Sequence, residues 1–224
     1  MNEAPSTAGA LDETDAARRI AAGDAAAFEA LMRRHNPTLF RVARAILRDD
    51  AEAEDALQEA YLQVYRTIGG FRAEAKLSTW LARVVANEAL MRLRKRKRRA
   101  AIVPLHPTAS PDELYEIPDT DMNHTPEASA QRSEMRLLLE HEIDSLPDAF
   151  RAVFVLRAVE ELSVEETAAV LAIPPPTVRS RFFRARGLLR ERLAAKIDVA
   201  CTEAFSFAGE RCDRIVANVL GRIQ

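Results

Sequence analysis

The sequence predicts an all-α protein built as two small helical domains joined by a flexible acidic linker. Apolar residues recur at three- and four-residue spacing through two long blocks, and no strand-like alternation of useful length interrupts them. Only 7 glycines occur among 224 residues, 48% of which are hydrophobic, a balance that suits helices with buried stripes. Between the blocks, residues 101–130 contain five of the 11 prolines and neither Lys nor Arg, which marks a domain boundary.

Net charge, -2 for the whole chain, hides a sorting of charge along it. Lys and Arg outnumber Asp and Glu 16 to 10 over residues 21–100, are outnumbered 6 to 0 over 101–131, and stand at 11 to 10 over 132–196. A basic module followed by a tether that repels nucleic acid is the order expected of a nucleic-acid-binding protein. No run approaches the roughly 18 apolar residues needed to cross a bilayer, and the first twenty positions carry Glu3, Asp12, Glu13 and Asp15 in place of a basic export signal. The chain is therefore expected in the cytoplasm, without membrane insertion.

Taken in order, residues 1–20 lack a clear period and are expected to form a disordered, frayed leader. Asp24 is a candidate N-cap for a helix carrying Phe28, Leu31 and Met32. Asn36 and Pro37 interrupt the pattern, so Asn36 is expected to cap a second helix running to Arg48, with a kink as the alternative. Asp49 and Asp50 lead into a helix with the stripe Ala53, Leu57, Ala60, Tyr61, Val64 and Ile68, stopped by Gly69 and Gly70. After the loop FRAEAK, Ser78 or Thr79 can open a helix through Leu81, Val84, Val85 and Leu90 that runs into RLRKRKRR. These elements define the first domain, 21–100, and the linker occupies 101–130.

The second domain, 131–196, starts near Gln131 with a helix through Met135, Leu138, Leu139 and Ile143, broken at Leu146 and Pro147. A helix with Phe150, Val153, Phe154 and Arg157 follows. Ser163 and Glu166 then have the S-x-x-E spacing of a capping box, which satisfies two otherwise free amide donors at a helix start. Ala172, Ile173 and Pro174 connect this short helix to a long one with the inward stripe Val178, Phe182, Ala185, Leu189 and Leu193. Because a residue before proline avoids helical geometry, Pro175 is expected to be extended and the last helix to start no earlier than Pro176. Two helices joined by a short turn, the second basic on its outer face, form a helix-turn-helix signature.

On that outer face lie Arg179, Ser180, Phe183, Arg184 and Arg186, with Thr177 in the first turn near any phosphate drawn to the helix N-terminus. Arginine can pair with a guanine edge, serine with bases or phosphate, and an exposed phenyl ring with a thymine methyl. A solvated arginine-rich helix is the plainer alternative, and Phe183 argues against it. In the first domain, seven of the eight residues from Arg92 to Arg99 are cationic, Arg92, Arg94 and Lys95 among them. Such a run neutralises phosphates without reading sequence, though a solvated tail has the same composition. Phe71, Arg72, Lys76, Trp80 and Asn87 precede it and could meet unpaired bases, while core packing remains the simpler role for Trp80. Asp55, Gln58 and Glu59 share a polar helix face that is indistinguishable, by composition, from an ordinary wet surface.

The segments DAEAEDALQEAYLQVYR, FRAEAKLSTWLARVVANEALMRLRKRKRR and LPDAFRAVFVLRAVEELSVEETAAVLAIPPPTVRSRFFRARGLLRERL resemble regions 2.2, 2.3 to 2.4, and 4.1 to 4.2 of the extracytoplasmic-function (group 4) sigma factors of the sigma-70 family. They occur in that family's order and span most of residues 21–196. The resemblance implies a sigma-2 and a sigma-4 domain, core RNA polymerase and promoter DNA as partners, and no cofactor. It implies that Asp55, Gln58 and Glu59 dock on the clamp helices of the polymerase largest subunit, with the flap as a further contact. It implies that Phe71 to Lys76 and Asn87 capture a flipped base of the minus-10 element while Arg92 to Arg99 hold backbone, at a cost of extrusion that a preformed pocket offsets. Arg179, Ser180, Phe183 and Arg184 would read the minus-35 duplex, the linker would thread the RNA exit region, and an anti-sigma factor would hold the protein inactive.

Departures from the family pattern are Met91, where Asp or Asn is usual, and Pro175 and Pro176, where Val and Gly are usual. Residues 197–224 form an extension in which Ile215, Val216, Val219 and Leu220 have helical spacing, and Cys201 and Cys212 fit two buried thiols better than a redox or metal switch. Among the other function classes, a dimeric helix-turn-helix regulator of duplex DNA would account for 147–196 but leaves the basic first domain unexplained. An enzyme is disfavoured by the lack of a phosphate loop, a nucleophile motif or histidines at ligand spacing, and no metal site is expected.

Overall fold

The computed structural model describes residues 7–102 and 126–203. These form eight α-helices, α1 (Thr7–Ala21), α2 (Ala25–Leu47), α3 (Asp50–Thr67), α4 (Leu77–Ile102), α5 (Pro126–Asp144), α6 (Asp148–Phe154), α7 (Val164–Leu171) and α8 (Pro175–Glu203). A 3-10 turn at Ile68–Gly70 and a π-helical turn at Val155–Val159 complete the described elements, with no strand among them. The all-α expectation holds for the described residues.

In the front module, α2, α3 and α4 pack mutually around Leu39, Val42, Ala43, Ala60, Val64, Leu81, Val85 and Ala89, all buried. Small residues at 43, 53, 56, 60, 86 and 89 let the helix axes approach closely. The expected cap forms at Asp24, which accepts from the Ala27 amide at 3.0 Å, and Asp49 caps α3 in the same way, accepting from the Glu52 amide at 2.8 Å.

Several local expectations are overturned. The leader is not frayed over its described part: residues 7–21 form α1, which buries Ala17 and Ile20 against the 3-10 turn. Its apolar positions are too few to announce a helix, and the packing supplies what the pattern lacks. Asn36 does not cap a second helix, because α2 runs unbroken through Pro37. The Asn36 side chain instead accepts a 2.8 Å hydrogen bond from the Tyr61 hydroxyl, and Pro37 lies on the exposed side, where water can serve the carbonyl it leaves unpaired. Neither Ser78 nor Thr79 opens α4; the first amide, Leu77 N–H, is capped at 2.9 Å by the Glu13 carboxylate of α1, a partner 64 residues away. The fifth helix starts at Pro126, ahead of Gln131, and α8 starts at Pro175, one residue early. Amides in a first turn need no intrahelical partner, so consecutive prolines are tolerated there.

In the rear module, α7 and α8 form the helix-turn-helix, α6 packs along α8, and α5 braces α8 through the Glu142 carboxylate, 2.6 Å from Lys196 Nζ. The two modules are packed on each other: α7 lies against α4, and α6 with the π turn lies against α2. Val153, Leu156, Val170 and Val178 accordingly share one apolar core with the front module, and a small second core contains Leu146, Ala185 and Leu189. Arg151 is the largest fully buried side chain at this seam. Its guanidinium donates to the carbonyls of Ala45 at 2.6 Å and Ile46 at 3.4 Å, capping the C-terminal end of α2 from the other module.

Candidate nucleic-acid interface

The rear face is built from the turn upward. Ser163 Oγ accepts from the Glu166 amide at 3.0 Å, and the Glu166 carboxylate accepts from the Ser163 amide at 2.8 Å, so the expected capping box fixes the start of α7. Burial pushes the Glu166 carboxyl up, yet the bonds from Ser163 and the charge of Lys76 outweigh it and hold the group below its ordinary value. Ala172 ends α7 in a left-handed conformation, φ 51°, where glycine would be the easier residue. Pro174 then presents its carbonyl to the Thr177 and Val178 amides, which aims the first turn of α8 outward.

With Val178, Ala185 and Leu189 turned inward, Arg179, Ser180, Phe183, Arg184 and Arg186 are exposed, and Thr177 is half-buried. Phe183 is 80% exposed, an unusual position for a phenyl ring on a helix with a well-filled apolar stripe. Its neighbour Phe182 turns the other way, between the guanidinium groups of Arg157 at 5.5 Å and Arg186 at 5.8 Å. Arg179, Phe183 and Arg186 also line, with Arg157, Phe182 and Arg190, an open cleft of about 440 Å3 on this surface. Arg179 lies 3.6 Å from Glu165 in a solvent-exposed pair that a DNA phosphate or base could displace.

On the front face, the structure brings together Phe71, Trp80 and Asn87 but not the whole predicted set. The rings of Phe71 and Trp80 are 5.8 Å apart, tilted by 59°, and both are partly buried against the front core while keeping an accessible edge. Trp80 and Asn87 line a pocket of about 320 Å3 with Gln63, Thr67, Gly70, Arg83 and Val84. Gln63, Thr67 and Arg83 were missed by sequence reasoning. Their signal is there in retrospect: 63 and 67 on α3, like 83 and 87 on α4, are one helical turn apart on faces free of core residues. Arg72 is exposed, and Lys76 is engaged by Glu166 of α7 at 3.3 Å.

The basic tract divides by partner. Arg92 bonds Glu88 at 2.7 Å and the Asp55 carbonyl at 3.2 Å, Arg96 bonds Glu52 at 3.1 Å and the Leu47 carbonyl at 3.0 Å, and Lys97 bonds Asp148 at 2.7 Å. Arg94 and Lys95 are exposed with no ion pair to another described residue. On α3, Asp55, Gln58 and Glu59 are exposed, and Leu62, one turn on and 51% exposed, extends their face with an apolar side chain that lies outside the buried stripe. Met91 is likewise half-exposed, with no polar group to offer where the family pattern has one. No cluster of three or more His, Cys, Asp or Glu side chains that could hold a metal ion occurs among the described residues. Cys212, the interior of the linker and the apolar residues of the C-terminal extension lie outside the described residues.

A three-helix module whose last helix ends in a basic tract, followed by a helix-turn-helix, defines a two-module helical protein of the kind that binds DNA. The models for sigma-70 region 2 and sigma-70 region 4 match residues 31–99 and 136–189. The chain is 38% identical over 172 residues to the ECF RNA polymerase sigma factor SigM of Mycobacterium tuberculosis, covering 77% of this chain and 80% of that one. It is 34% identical to the RNA polymerase sigma-H factor of Pseudomonas aeruginosa, covering 78% and 90%. Among solved structures, the sigma factor RpoE in complex with the anti-sigma factor NepR from Bartonella quintana shares the fold with a TM-score of 0.58 at 21% identity, covering 75% of this chain and 96% of that one. CnrH in complex with the cytosolic domain of CnrY gives 0.55 at 22% identity, covering 82% and 97%. The chain belongs to the extracytoplasmic-function sigma factors of RNA polymerase. It is a DNA-binding initiation factor that directs polymerase to promoters. No described helix is long and apolar enough to cross a membrane.

Proposed function

We propose that the rear module reads the minus-35 element as duplex through Arg179, Ser180, Phe183, Arg184 and Arg186, with Thr177 on a phosphate. The front module holds the opened minus-10 strand at Phe71, Arg72, Lys76, Trp80 and Asn87, with Gln63, Thr67 and Arg83 completing the pocket and the tract Arg92 to Arg99, Arg94 and Lys95 foremost, on the backbone. The observation that carries this reading is the pairing of an outward Phe183 on the second helix of a helix-turn-helix with a separate pocket walled by Trp80 and Asn87. A duplex-reading dimer would need the first surface only.

Asp55, Gln58, Glu59 and Leu62 form the face offered to core polymerase, and the chain performs no catalysis of its own. It acts in the cytoplasm, beside polymerase. An anti-sigma factor holds it inactive, a reading supported by the solved relatives, which are complexes with NepR and with CnrY. Sequencing the transcripts made in vitro by core polymerase with and without the purified chain tests the reading. Start sites preceded by a shared pair of upstream elements are expected. Tight, specific operator binding by the chain alone, with no new start sites, would overturn it.

A further inference from the structure

Among the described residues, the seam between the modules carries four ion pairs: Arg41 with Glu160, Arg44 with Asp144 at 2.7 Å, Lys76 with Glu166 at 3.3 Å and Lys97 with Asp148 at 2.7 Å. In every one the cation belongs to the front module and the carboxylate to the rear. Thr79 adds a 3.4 Å hydrogen bond to the same Glu166 oxygen. Two of these cations are not ordinary surface charges. Lys76 immediately precedes the helix that carries Trp80 and Asn87, and Lys97 stands in the basic tract.

A carboxylate on Lys76 or Lys97 occupies the position that a strand phosphate would take, since both are hydrogen-bonding anions of similar reach. We propose that the closed seam is an autoinhibitory contact, in which Asp148 and Glu166 of the helix-turn-helix module compete with the promoter strand for Lys97 and Lys76. The two acids have second roles that keep them in place: Glu166 closes the capping box, and Asp148 accepts from Arg151 at 3.0 Å. Strand capture and lobe closure are then mutually exclusive at those cations, so whatever separates the modules also arms the front module for DNA. The inference rests on the assignment of Lys76 and the basic tract to the strand.

The test uses the full chain with a fluorescein-labelled oligothymidylate as probe, read by anisotropy. The pair Asp148→Asn and Glu166→Gln removes both charges yet keeps an acceptor for Arg151 and an amide able to serve the capping box. Both ion pairs are partly exposed, so the expected gain in affinity is about three- to tenfold. A control pair, Glu140→Gln and Glu191→Gln, removes the same charge from the rear module away from the seam and should gain much less. Equal gains in the two pairs, or none in either, overturn the proposal. The underlying assignment is checked by Lys76→Gln with Lys97→Gln. If that pair leaves probe affinity unchanged, the assignment itself fails; if it weakens binding while the acid pair does not strengthen it, only the autoinhibition fails. The wild-type chain gives an independent reading without substitution. Zero-length carbodiimide coupling should join Lys97 to Asp148 and Lys76 to Glu166, and excess probe should suppress both products. Absence of the products, or their persistence under saturating probe, contradicts the proposal.

Discussion

Replacing Arg151 by Met is the most informative single perturbation of the packing, because the two side chains have similar reach and only one carries charge. Arg151 is 0% exposed and makes three short contacts, to the Ala45 carbonyl at 2.6 Å, the Leu146 carbonyl at 3.0 Å and Asp148 Oδ1 at 3.0 Å. Longer ones reach the Asp144 and Ile46 carbonyls, both at 3.4 Å. Burial lowers the pKa of the guanidinium and the neighbouring carboxylates oppose that shift, so the charge stays and is answered by acceptors on both modules. Charge-assisted hydrogen bonds are worth about 1.5–3 kcal/mol each, and part of that is returned when the desolvated cation is removed. The residue left behind is a set of buried carbonyls with no donor, for which breaking one side of a buried polar network suggests a loss of about 3–5 kcal/mol. Urea unfolding followed by circular dichroism, against the parent chain, measures this. A loss below about 1 kcal/mol would mean that Arg151 is solvated and that the modules do not close on it as described.

Three other expectations follow from particular contacts. Ser163→Ala removes half of the capping box and should cost about 1 kcal/mol, a fall of about 2–4 °C in Tm by calorimetry; no fall would remove the cap from the account. Asp148 and Glu166 both have pKa values held below their ordinary 3.8 and 4.5, so the stability they contribute is present above that range and is lost as pH falls through their lowered values. The contribution of these two acids should therefore be flat through neutrality and drop in acid below about pH 4, and neutralising both should shrink the drop, as pH-dependent unfolding would reveal. Arg184→Ala should cost about 1–3 kcal/mol in minus-35 recognition, read as the dependence of transcription on that element, with core polymerase binding unchanged. Loss of core binding would mean that the recognition face has been misassigned.

The helix-turn-helix was legible in sequence because its signals are local. Ser163 and Glu166 are three residues apart, and the stripe from Val178 to Leu189 leaves Arg179, Phe183 and Arg184 on the opposite side by helical geometry alone. What was not legible depends on distant partners. Glu13 caps α4 across 64 residues, and no propensity rule connects them. Pro37 reads as a break, yet the Tyr61 hydroxyl on Asn36 and the packing of Leu39 and Val42 hold α2 continuous, so tertiary burial overrides a local breaker. Tyr61 itself is buried enough that its phenol is raised to about 12, which keeps the hydroxyl a donor at any working pH.

The candidate site divides along the same line. Trp80 and Asn87 were found because they stand on the helix that ends in the basic tract, whereas Gln63 and Thr67 come from a different helix and enter the pocket only once α3 and α4 pack. The tract looked uniform as a string of cations. Folding sorts it, with Arg92 and Arg96 spent on α3 and the end of α2, Lys97 on the rear module, and Arg94 and Lys95 left outward. Charge counts describe supply, and only the packed structure tells where the charges go.

A photoreactive phenylalanine analogue at position 183 or at position 80, carried into an initiation complex with core polymerase, tests the division of labour most directly. Crosslinks from position 183 should map to the upstream element on paired DNA, and those from position 80 to unpaired bases of the downstream element. Both positions reacting with the same element, or position 80 reacting only with intact duplex, would contradict it.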